Sequence, residues 1–62
     1  MEPIKVDRTV LKERGRIATG ERLPRFAVAQ LGWNPGTKLL RKSYLQGKDF
    51  MVLFTREDED HE

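Results

Sequence analysis

The run Gln30-Leu31-Gly32-Trp33-Asn34-Pro35-Gly36-Thr37-Lys38-Leu39-Leu40 constrains this chain more than any other stretch of it. Leu31-Gly32 reads as a helix stop, because glycine takes the left-handed conformation past a helix end at little cost. Asn34-Pro35-Gly36-Thr37 reads as a tight turn. Proline presets φ at the second turn position, and glycine supplies the positive φ that a type II turn needs at the third. A strand follows from Thr37. A short helix is therefore turned into a hairpin within a few residues, and a chain of 62 residues has room for little else.

A chain of this length makes one domain and buries only about 60% of its unfolded surface, so a lone monomer is marginal. There is no cysteine, hence no disulfide and no thiolate metal site to staple the fold. The single histidine, His61, sits near the C-terminus among carboxylates, which is poor support for a metal site. Oligomerisation is the remaining device, and a homodimer is its simplest form. No apolar run approaches the roughly 20 residues that span a membrane. Met1-Glu2-Pro3-Ile4-Lys5 lacks the apolar core of a secretory signal, and the missing cysteines fit a reducing compartment, so a cytoplasmic location is expected.

Along the chain, residues 4–12 alternate as a strand, with Ile4, Val6, Arg8 and Val10 on one side and Lys5, Asp7 and Thr9 on the other. Glu13-Arg14-Gly15 is a turn, and residues 16–19 are expected to return as its partner strand. Gly20-Glu21-Arg22 extends, bulges or leaves that strand. Leu23-Pro24 starts the helix, with proline suited to the first helical position. Phe26, Ala27 and Leu31 then form its apolar face. Residues 37–45 and 49–56 form a second hairpin turning at Gln46-Gly47-Lys48. In its last strand Phe50, Val52 and Phe54 alternate with Met51 and Leu53, so both faces are apolar. Such a strand is normally covered on both sides. A two-layer monomer of this size cannot do that, which again points to a dimer. Trp33 reads as a core or dimer-interface residue.

The net charge of +2 hides an asymmetry. Residues 57–62 hold five of the ten acidic residues and read as a disordered, solubilising tail after a domain of residues 1–56. That domain carries twelve Lys and Arg against five Asp and Glu, a balance of +7. Seven of the cations fall in the first 25 residues: Lys5, Arg8, Lys12, Arg14, Arg16, Arg22 and Arg25. A small, strongly basic body suits a polyanionic partner, nucleic acid first, and these seven are its candidate contacts. Individually each is an ordinary solvated cation; the clustering carries the argument.

The order Gly15-Arg16, Pro24, Leu31-Gly32, Pro35-Gly36 and Leu39, with the apolar ending Phe50-Met51-Val52-Leu53, resembles the AbrB/MazE family of swapped-hairpin DNA-binding proteins over residues 4–56. Two departures accompany it. Four extra residues lie between Gly15-Arg16 and Pro24 unless Gly20-Glu21-Arg22 takes the Gly-Arg place, and both registers stay open. The short helix carries no basic residue after Arg25, which shifts any DNA contact toward the first hairpin. The resemblance implies a mostly β fold with one short helix, in which two chains exchange hairpins to build one intertwined β-barrel. It implies duplex DNA as the partner, arginines of the N-terminal hairpins as the contacts, a palindromic or pseudo-palindromic site, and transcription regulation as the role.

Two other readings stand beside it. In one, the chain is an antitoxin whose acidic C-terminus neutralises a toxin protein, a role compatible with promoter binding. In the other, Tyr44, Phe50 and Phe54 are the stacking aromatics of a small RNA-binding β-domain, although their spacing suits core packing better. No catalytic constellation or cofactor is implied: there is no cysteine, and His61 cannot be placed beside a nucleophile. Gly15-Arg16-Ile17-Ala18-Thr19-Gly20 has the glycine spacing of a phosphate-binding P-loop but continues as Glu21-Arg22 rather than Lys and Ser or Thr.

Overall fold

Alternation and turn chemistry act first in this fold. The computed structural model describes residues 2–59. Three strands, β1 (Lys5–Val10), β2 (Lys38–Gln46) and β3 (Asp49–Arg56), form one antiparallel sheet in that order. The fold is thus mostly β with one short helix, α1 (Arg25–Leu31). β2 and β3 meet through Gly47-Lys48, where Gly47 takes φ 61° and Gln46 pairs with Asp49. Glycine first in a two-residue loop matches the twist of the strands it joins.

The helix stop takes the form expected of it. Gly32 is left-handed at φ 69°. Its N–H donates to Ala29 O at 3.3 Å, and Trp33 N–H donates to Val28 O at 3.3 Å, which satisfies the last helical carbonyls in a Schellman arrangement. Gly36, at φ 95°, closes the next turn, with Thr37 N–H donating to Asn34 O at 3.0 Å. That turn is pinned to the end of β1: Gly36 N–H donates to Leu11 O at 2.7 Å and Leu11 N–H to Thr37 O at 2.9 Å.

Leu11, Ile17, Trp33 and Leu39 form the buried core, with Leu23, Val28 and Phe54 packed on it. Each fully buried leucine contributes about 1.5–3 kcal/mol. By register and alternation this core lies on one side of the sheet, the inner face, with Asp7, Thr9, Leu39, Arg41, Ser43, Val52 and Phe54. The helix and residues 11–23 cover it.

Three expectations need correction. Residues 16–19 are not a strand; they make isolated bridges, Leu11 with Ile17 and Arg16 with Arg22, because the chain turns again where Gly20 N–H bonds Ile17 O at 2.8 Å. The long partner of β1 is β2. Pro24 is the N-cap rather than the first helical residue, since its ψ of 146° is still extended. The helix buries neither Phe26 nor Leu31, which are 73% and 51% exposed. Trp33, brought back over the core by the Schellman turn, draws Val28 inward instead. On β3, Met51 and Leu53 are about half exposed, so this chain alone leaves one face of the strand open, the situation expected for a single chain of this size.

The acidic segment begins as a single 3₁₀ turn over Glu57–Glu59, with Arg56 gripping Asp58 through Nε–Oδ1 at 3.0 Å and Nη2–Oδ2 at 2.7 Å. Residues 60–62, His61 among them, lie outside the described residues.

Candidate nucleic-acid interface

Beyond β1 the chain reverses through a 3₁₀ turn, Glu13–Gly15. Arg14 and Gly15 are both left-handed there, at φ 62° and 74°. Glycine is required at 15: a Cβ would stand 2.6 Å from the Leu23 carbonyl oxygen. With that space free, Leu23 N–H donates to Gly15 O at 2.8 Å, and Arg16 bridges Arg22 antiparallel. Residues 12–16 and 22–25 are thereby held side by side, although neither segment is a strand.

This folding gathers five of the seven candidate cations. Lys12, Arg16 and Arg22 line one shallow hollow with Glu13 and Glu21. Arg14, Arg22 and Arg25 line a second with Leu23 and Pro24, so Arg22 joins the two. All five are exposed, and none makes a salt bridge or side-chain hydrogen bond with another described residue. Five cations gathered around hollows whose acidic lining is Glu13 and Glu21 leave a net positive field that favours a polyanion. The other two candidates lie elsewhere. Lys5 is 3.7 Å from Asp7, and Arg8 is exposed on the outer sheet face beside Leu40.

Glu21 does not offset this charge, because it is committed to the sheet. Its Oε2 accepts from Arg41 Nε at 2.6 Å, and its Oε1 accepts from the Thr19 hydroxyl at 2.5 Å. The Thr19 hydroxyl, then Arg41, hold its carboxyl below the ordinary glutamate value, and burial opposes them. Arg41 in turn donates to Ser43 Oγ at 3.1 Å and lies 3.9 Å from Asp7 Oδ2. Arg41 and Glu21 therefore orient the basic segment without belonging to it. Neither stands out as a positioning residue in the sequence. The one available signal is an arginine at the Leu39–Ser43 parity of β2, a row otherwise built to face inward.

Among the described residues no group of three His, Cys, Asp or Glu is placed to hold a metal ion. No described helix is long and apolar enough to cross a membrane. No family model, curated protein or solved structure matches this chain.

Proposed function

We propose that this protein binds duplex DNA as a homodimer and regulates transcription by occupying promoter DNA. The carrying observation is the set of five exposed cations at residues 12–25 that form no ion pair with another described residue, gathered around two adjoining hollows. Arginine suits this role because its planar fork grips phosphate and can bond guanine O6 and N7 together. A site of exposed, flexible cations favours backbone contacts over base readout, so affinity is electrostatic first. The resemblance to AbrB/MazE proteins supports the same reading and extends it to a swapped-hairpin barrel. One chain contributes a three-stranded sheet and a short helix to that barrel, and we assign the remainder to a second chain.

The arrangement of aromatics argues against the RNA-binding reading. Tyr44 pairs with Met51 on the outer face, whereas Phe50 and Phe54 lie on the inner one. They cannot form one stacking platform. Fluorescence anisotropy with a duplex and a single-stranded RNA of equal length, at one fixed salt concentration, tests the proposal. Tighter binding of the duplex is expected. A preference for the single strand, or no binding to either, would overturn it.

A further inference from the structure

The sheet has two edges, and they differ in kind. β1 carries Lys5, Asp7 and Arg8, and the chain bonds back to its free side, where Ala18 N–H donates to Val10 O at 3.0 Å. Charges and a covering segment are the usual means of keeping an edge strand from pairing further. β3 has neither. Between Asp49 and Arg56 it holds no charge and no proline. The hairpin fixes which of its backbone groups are free. A two-residue loop makes the closing pair, Gln46 and Asp49, exchange both hydrogen bonds, and bonded pairs then alternate along the strands. Asp49, Met51, Leu53 and Thr55 therefore turn their backbone groups to β2. Those of Phe50, Val52 and Phe54 point away from the sheet and bond no other described residue.

We propose that this edge pairs antiparallel with the β3 edge of a second copy, about a two-fold axis at Val52. The inference rests on the homodimer reading and names the edge the dimer uses. The strand itself identifies the occupant. Phe50-Met51-Val52-Leu53-Phe54 has the same order of side-chain classes in both directions: aromatic, long aliphatic, β-branched, long aliphatic, aromatic. Pairing about Val52 sets Phe50 opposite the partner's Phe54 on one face, and Met51 opposite the partner's Leu53 on the other. Cross-strand pairs of this kind are what stabilise a sheet junction. Val52 meets its own copy as a bonded pair, which its outward amide allows. Charge agrees at the ends. Lys48 comes opposite the partner's Arg56, and Arg56 holds Asp58 at 2.7 Å with Glu59 at 3.8 Å. One arginine with two carboxylates is net negative. It attracts Lys48, which makes no ion pair with another described residue. A strand of a different protein would need no such symmetry, whereas an isologous contact requires it and closes at two chains. The basic segment follows β1 and bonds back to that opposite edge, so pairing along β3 leaves its hollows open.

Val52→Pro tests the edge while keeping the bonds between β2 and β3, because the N–H it removes points outward and edge strands tolerate proline there. Light scattering at low micromolar concentration should give the wild type twice its chain mass and the folded variant its single chain mass. A second measurement does not depend on the variant folding. Hydrogen exchange of the wild type, followed residue by residue over a concentration series, should show the Val52 amide protected where the dimer forms and unprotected on dilution. The Leu53 amide, bonded to β2, should stay protected at both ends of the series. A dimer whose Val52 amide exchanges freely, or a folded Val52→Pro chain that stays dimeric, would overturn the choice of edge while leaving the homodimer standing. Mass growing past two chains would overturn the two-fold register. A folded wild-type monomer would overturn the homodimer reading and this inference with it.

Discussion

Arg14 stands at φ 62°, ψ 31°, a conformation that costs a residue with a Cβ roughly 1–2 kcal/mol. Its side chain lines a hollow with Arg22 and Arg25. The backbone cost and the charge can be separated by one substitution. Arg14→Gly relieves the strain, against an entropic penalty of about 0.5–1 kcal/mol for glycine. Stability measured by urea unfolding should therefore stay level or rise by up to about 1.5 kcal/mol, while DNA affinity falls. A marked loss of stability would mean that the Arg14 side chain packs structurally. This strain was not legible in the sequence. Gly32 and Gly36 were, because a helix stop and a tight turn are local events signalled by their own residues. Arg14 is forced left-handed by a non-local event, the closure of Gly15 onto Leu23, and nothing about an arginine announces that.

At the level of elements, the basic segment is fastened to the sheet through Glu21 and Arg41. The side chains are 30% and 19% exposed, so after solvent screening the pair contributes about 1 kcal/mol. The carboxyl of Glu21 is held below its ordinary value in the folded chain. The stability it contributes is thus fully present above the ordinary glutamate range and is lost as pH falls through the folded value. Melting temperature followed from neutral to acid pH should decline in that range, and Glu21→Gln should flatten part of the decline. Asp58, held low by Arg56, titrates in the same direction and remains in the variant, so the difference isolates Glu21. An unchanged profile in Glu21→Gln would show that the tie does not stabilise the fold. The three strands were legible from alternation and from Gly47. The partner of β1 was not, since pairing with β2 is set by tertiary closure. Nor was the buried side of the helix, which Trp33 sets from outside it.

Across the whole molecule, charge and apolar surface are segregated. The basic hollows lie on the side of the sheet that carries the helix and core, and the largest exposed apolar face lies on the other. Composition revealed the excess of cations in the first 25 residues. It did not reveal that five gather while Lys5 and Arg8 stand apart, because that depends on the reversal at Arg14-Gly15. The central proposal is that the gathered cations take the phosphate backbone. The salt dependence of DNA binding tests it most directly. Arg16 and Arg22 are exposed and make no ion pair with another described residue, so replacing both with Ala should leave the melting temperature nearly unchanged. The plot of log affinity against log salt should flatten by about 0.9 for each phosphate contact removed. A folded double variant with the affinity and slope of the wild type would contradict the account.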